Sequence, residues 1–240
     1  MQELNLFYDE SYLKYGIKKY VRWNPAVAPS ILCYGATGSG KTVASKLILS
    51  RISKYIPDSQ IWINDFKGDS TDFAFLQNSK RYYRFFDCAD GFQDFFNHFT
   101  QRQSGEDTRR HFIICYFDEW ASYIQNIDKK KAESEKQKLS TLLMLGRSYN
   151  VHFLHNQQRC DSIYFSAGSR DQYGVVISLG NLSEEGKLMM FREFKDEMKS
   201  DRKQGTGYMM TNGTNFTPIQ VPIISDMEKM NHFIKEAVNR

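Results

Sequence analysis

No apolar run in the 240 residues approaches the ~20 needed to cross a bilayer, so no membrane-spanning helix is expected. The first residues lack a basic stretch followed by an apolar one. No secretory leader is therefore expected, and the protein is expected in the cytoplasm. Cysteine is scarce. Cys33, Cys88, Cys115 and Cys160 stand far apart with no CxxC pair, which argues against a zinc site and fits a reducing compartment. Cys33 and Cys115 lie inside apolar, strand-like runs where buried free thiols are common. Charge of one sign is also scarce: a net +4 leans basic too slightly to imply a nucleic-acid partner by itself. There is no internal repeat, and no linker long enough to separate a pair of domains.

What is present is enough for one large α/β domain. Hydrophobic residues make up 41% of the chain, which favours a packed core over disorder. Residues 1–30 read as a Tyr-rich lead-in segment packing on a core of residues 31–240. Short strands are expected at Ser30–Tyr34, Gln60–Asn64, Tyr82–Phe86, His111–Phe117, Val151–Leu154 and Tyr173–Leu179. Helical spacing runs through Lys41–Lys54, with Val43, Leu47, Ile48 and Ile52 on one side. It recurs at Gly91–Gln103, Leu139–Arg147 and Ser183–Met198. In the second of these helices Phe92, Phe95, Phe96 and Phe99 form an apolar face suited to core packing. Tyr208–Met210 and Thr217–Ile224 read as a hairpin around Asn212-Gly213. Strands alternating with helices imply a mostly parallel sheet with helices on both faces.

The chemistry is concentrated in two motifs. Gly35-Ala36-Thr37-Gly38-Ser39-Gly40-Lys41-Thr42 matches the Walker A pattern between a strand and a helix. Glycines let the backbone turn its N–H groups onto phosphate oxygens, and the helix starting at Lys41-Thr42-Val43 offers its positive end to the anion. Lys41 is expected on the β- and γ-phosphates of ATP and the Thr42 hydroxyl on Mg²⁺. Ile113-Ile114-Cys115-Tyr116-Phe117-Asp118-Glu119 matches Walker B: an apolar strand ending in two acids. Asp118 is expected to hold the Mg²⁺ shell and Glu119 to polarise the attacking water. Gln158-Arg159 follows the strand Val151–Leu154 and Arg147 precedes it: a polar side chain just past a strand beside Walker B suits sensing of the γ-phosphate, and an arginine near the domain edge suits a finger on a neighbour's nucleotide. Surface salt bridging is the alternative for both. Lys129-Lys130-Lys131 opens a charged stretch to Lys138. It reads either as a basic loop on a phosphate backbone or as a solvated helix face alternating with Glu133 and Glu135.

These motifs resemble the FtsK/HerA group of P-loop DNA motors. Beside Walker A, Asp65-Phe66-Lys67-Gly68 resembles the group's D-P-K-G segment, and Asp118-Glu119 its D-E. Arg147-Ser148-Tyr149-Asn150-Val151-His152-Phe153-Leu154 resembles its R-A-A-G-I-H-L-x stretch, followed by Asn156-Gln157-Gln158-Arg159-Cys160 where the group has A-T-Q-R-P. Gln204-Gly205-Thr206-Gly207-Tyr208-Met209 resembles its late glycine-rich turn. The matches run in order over about residues 30–210. Proline is missing from the Asp65 and Gln158 segments, a departure that bears on local turns rather than chemistry. The resemblance implies a RecA-like core, a ring-shaped homo-oligomer (usually a hexamer) with ATP between subunits, and translocation of double-stranded DNA. It implies Gln158 as sensor and Arg147 as a finger acting in trans. No stretch resembles the group's membrane-spanning region or winged-helix reader, so a compact motor of a mobile element, plasmid or phage is expected. Such a motor would serve conjugation, element replication or packaging, with a relaxase or other element protein as partner. The alternative is a nucleotide-dependent module that recruits proteins to DNA without moving along it.

Overall fold

The computed structural model describes residues 3–69, 71–166 and 168–240. The chain opens with β1 (Leu4–Asp9), a short α1 (Glu10–Leu13) and β2 (Tyr20–Trp23). Next come β3 (Ile31–Tyr34), α2 (Lys41–Tyr55), β4 (Gln60–Asp65), β5 (Tyr82–Arg84) and α3 (Cys88–Ser104). The Walker B segment is β6 (Ile113–Asp118), followed by α4 (Trp120–Asn126) and α5 (Lys129–Leu145). The last third holds β7 (Val151–Gln157), β8 (Val175–Leu179), α6 (Glu184–Met190), β9 (Thr206–Thr211), β10 (Asn215–Gln220) and α7 (Met227–Asn239).

All ten strands form one sheet in the order β2-β1-β10-β9-β8-β3-β7-β6-β4-β5. From β8 to β5 every neighbouring pair is parallel, and from β8 to β2 every pair is antiparallel. The parallel centre follows from sequence. β3, β6 and β8 are buried along their whole length, and their near-continuous apolar runs suit strands covered on both faces. One face packs under α2 and α7, where Ile48, Ile52, Ile234 and Val238 join Ile61, Ile63 and Ile114. The other packs under α3, α4 and α5, where Phe92, Phe95, Trp120 and Leu142 meet Phe117 and Phe153. Side chains of this size contribute about 1.5–3 kcal/mol each when fully buried. The fold is the RecA-like, mostly parallel sheet between helical layers that the motifs imply.

Several expectations shift in detail. The segment read as a lead-in supplies strands: β1 pairs with β10 and β2 with β1, with Leu6, Phe7 and Trp23 buried. On α2 Lys41 and Ala44 are the buried residues of the first turn, while Val43 is 37% exposed at the helix start. The charged run from Lys129 is the helix face rather than the loop: it opens α5, where the Asp128 carboxylate accepts from the Lys130 and Lys131 N–H groups. Lys136 pairs with Glu133 and Lys138 with Glu135, leaving Lys129, Lys130 and Lys131 exposed at its first turn. The 183–198 region is a helix only to Met190, then a looser 3₁₀ segment over Arg192–Glu197. The hairpin around Asn212-Gly213 forms as expected, with Thr211 opposite Asn215. The four cysteines are buried and unpaired.

Candidate nucleotide-binding and catalytic site

β3 delivers the chain to Gly35 at the C-terminal edge of the sheet. A side chain is impossible there: a Cβ on Gly35 would lie 2.2 Å from the Leu179 carbonyl oxygen at the end of β8. The loop then exposes Ala36, Thr37 and Gly38 and returns to start α2 at Gly40, whose φ of 100° is left-handed. No side chain caps α2, so its first N–H groups are left for an outside acceptor. The loop is braced from behind, where the Gly205 N–H donates to Ser39 O over 2.9 Å. The late glycine-rich turn therefore lies against the P-loop. The Ser39 Oγ is buried without a partner.

Lys41 is 8% exposed and folds back over the loop, its Nζ donating to Gly35 O at 2.7 Å and Ala36 O at 3.0 Å. Both acceptors belong to the loop itself. Thr42 is half-buried beside it on the first turn of α2.

Two strands away, β6 ends in Asp118, which is 3% exposed. Its Oδ1 accepts from the Tyr116 hydroxyl at 2.7 Å and from the Asn156 Nδ2 at 3.2 Å. Burial pushes the Asp118 carboxyl up to about 7. The tyrosine and asparagine donors oppose the rise, and the neighbouring Glu119 and Asp65 carboxylates add to it. Asp65 sits opposite Asp118 in the register of β4 and β6. It is itself raised by burial, against the N–H of Gly68 at 2.8 Å and the Tyr82 hydroxyl at 3.0 Å. Glu119 has a left-handed backbone, φ 58°, rare for a residue with a Cβ and costing about 1–3 kcal/mol. Its N–H donates to Asn156 O over 3.0 Å, and its carboxylate accepts the Gln158 amide over 3.2 Å.

The structure thus gathers Lys41, Thr42, Asp118, Glu119 and Gln158 at one edge of the sheet. It separates Arg147, which lies in a 3₁₀ turn (Gly146–Tyr149) leading into the opposite end of β7. Since β7 runs parallel to β3, the length of the strand, roughly 20 Å, lies between Arg147 and its own P-loop. Arg147 is exposed and makes no ion pair among the described residues. Arg159 is tied to Asp161 at 3.2 Å. Sequence reasoning missed Ser45, Tyr116 and Asn156, which join the P-loop helix to Asp118. The signal was a buried amide at the end of an apolar strand.

Among the described residues no group of three or more His, Cys, Asp or Glu converges as a metal cage. The residues fit Mg²⁺ in another way. One hydroxyl (Thr42) and one buried carboxyl (Asp118) would leave the remaining positions to phosphate and water, which is how Mg²⁺ is usually held. No helix among the described residues is long and apolar enough to cross a membrane.

No family model matches the chain. It is similar to an FtsK domain-containing protein, YdcQ, of Bacillus subtilis (strain 168), with 23% identity over 235 residues. The match covers 92% of this chain and 49% of YdcQ, so the chain spans about half the length of that relative. Among solved structures, the pCW3 conjugation coupling protein TcpA, in its monomer form with ATPγS, superposes with a TM-score of 0.71. It is 20% identical and covers 92% of this chain and 66% of that one. The cytoplasmic domain of the Thermomonospora curvata type VII secretion ATPase EccC superposes with a TM-score of 0.70. It is 14% identical and covers 99% of this chain and 31% of that one. The motifs resemble those of the FtsK/HerA group, the relative is an FtsK domain-containing protein, and the solved neighbours share the RecA-like P-loop ATPase fold of this chain.

Proposed function

We propose that the chain hydrolyses ATP to drive a ring-shaped homo-oligomer, a hexamer, along double-stranded DNA in the transfer, replication or packaging of a mobile element. The observation that carries the ATPase site is the meeting, at one sheet edge, of the Lys41 cradle with Asp118, Glu119 and the Gln158 amide. The DNA assignment rests on the FtsK-domain relative and the conjugation coupling protein. A relaxase or other element protein is the partner class this reading implies, and the cytoplasm its compartment.

In this reading the P-loop N–H groups and the Lys41 ammonium bind the triphosphate, with Lys41 exchanging its two carbonyl partners for phosphate oxygens. Thr42 and Asp118 would hold Mg²⁺, which would offset negative charge on the phosphates. Glu119 takes up hydrogen-bonding to the attacking water, and its strained backbone fixes where the carboxylate points. Gln158, already on Glu119, reports whether the terminal phosphate is present. Negative charge on the transferred phosphoryl group is offset by Arg147 of a neighbouring copy, since its own copy's nucleotide lies across the sheet.

Phosphate release measured with and without duplex DNA tests this. Stimulation that falls steeply with added salt supports a phosphate-backbone contact. ATP turnover indifferent to DNA at low salt counts against the DNA assignment, and nucleotide-dependent DNA binding without turnover favours the recruitment module.

A further inference from the structure

We propose that Asn156 is a positioning residue: a buried strut that fixes the Asp118 carboxylate relative to the P-loop helix. The inference rests on the reading of Asp118 and Thr42 as the Mg²⁺-holding pair.

The strand order places such a strut between the two. β7 lies between β3, which carries the P-loop, and β6, which carries Asp118. Backbone bonds join the strand ends, Gly35 N–H to Gln157 O and Glu119 N–H to Asn156 O, but they do not reach the Asp118 carboxylate. Asn156, opposite Asp118 in register, closes that gap with its side chain. The Ser45 hydroxyl, one helical turn beyond Thr42, donates to Asn156 Oδ1 at 2.7 Å. Asn156 Nδ2 donates to the Tyr116 hydroxyl at 2.7 Å and to Asp118 Oδ1 at 3.2 Å. The Tyr116 hydroxyl donates its own proton to the same carboxylate oxygen at 2.7 Å. Asn156 and Tyr116 are fully buried, so water cannot replace these bonds.

The arrangement also says what Asn156 does not do. Its amide oxygen and nitrogen are already engaged by Ser45, Tyr116 and Asp118, and its side chain is closed to solvent. It is not free to touch a terminal phosphate, whereas the exposed Gln158 is. Asn156 therefore acts through Asp118. Groups in this outer position set ligand orientation, and their loss typically weakens metal binding about 10–100-fold.

The test is direct titration of Mn²⁺, followed by its electron paramagnetic resonance, into the full chain with ADP. ADP lacks the γ-phosphate, so a phosphate-sensing residue would leave this site unchanged. Asn156→Leu removes every bond of the strut at similar volume, and Tyr116→Phe removes one hydroxyl. The strut predicts Mn²⁺ binding weakened about tenfold or more in each. Metal-free ADP affinity should stay within about twofold, and the double variant should lose less than the product of the two single losses, because both act on one network. Mn²⁺ affinity close to wild type in both single variants overturns the proposal. So does equal loss of metal-free ADP affinity, which marks a general scaffold role. Asp118→Asn separates the two readings. If it abolishes the Mn²⁺ site while the strut variants keep it, the strut alone fails. If it leaves the site intact, the Mg²⁺ reading of Asp118 fails and the strut with it.

Discussion

The Gln158 amide donates to the Glu119 carboxylate over 3.2 Å, joining residues 39 positions apart at the lip of the sheet. Glu119 reaches that point only through its left-handed backbone. A carboxylate held in this way is set to polarise water. Glu119→Gln should keep ATP affinity near wild type and cut turnover by about a hundredfold or more. Equilibrium binding and phosphate release, measured side by side, check it. Unchanged turnover would remove Glu119 from the chemistry.

Lys41→Ala removes a nearly buried ammonium whose two partners are loop carbonyls. The loop segment Gly35–Thr42 carries no other basic residue. MgATP affinity should fall sharply, by about tenfold or more, as one charge-assisted contact of about 1.5–3 kcal/mol is lost. Isothermal titration reads this directly, and an unaltered affinity refutes the assignment.

Arg147 lies a strand's length from its own P-loop. Arg147→Ala should leave ATP binding intact and lower hydrolysis by about a hundredfold or more. Mixing it with Lys41→Ala should restore some of the activity, because some interfaces then pair an intact P-loop with an intact arginine. Mixed rings that form but stay inactive would show that Arg147 does not act in trans.

The Asp118 carboxyl titrates higher in the folded chain, near 7, than the ordinary value near 4 of an unfolded chain. Its contribution to the stability of the metal-free protein is therefore complete below about pH 4 and is lost as pH rises through about 7. Asp118→Asn removes this slope. Thermal melts from about pH 4 to about pH 8 should show the variant gaining on the wild type as pH rises. A difference that does not change with pH contradicts the assignment.

The centre of this fold was legible because its strands are buried on both faces. His111–Phe117 and Tyr173–Leu179 read as strands from apolar content alone, and the P-loop turn was fixed by residue type. The edge was not. Leu4–Asp9 and Tyr20–Trp23 mix polar and aromatic residues, and only their place beside β10 makes them strands. α7 was missed, although Met230, Ile234, Ala237 and Val238 follow helical spacing behind the Asp226 cap. At the site, Lys41, Thr42 and Asp118 were legible from motif spacing. The Ser45–Asn156–Tyr116 bonds were not, because they join residues 111 and 40 positions apart. No local pattern marks such partners.

Whether ATP turnover is spent on moving along DNA is tested most directly by displacement of a third strand bound to duplex DNA. The account predicts release of that strand by the wild type with hydrolysable ATP, and none with ATPγS or with Glu119→Gln. Steady ATP turnover on the same duplex with the third strand left in place would contradict it.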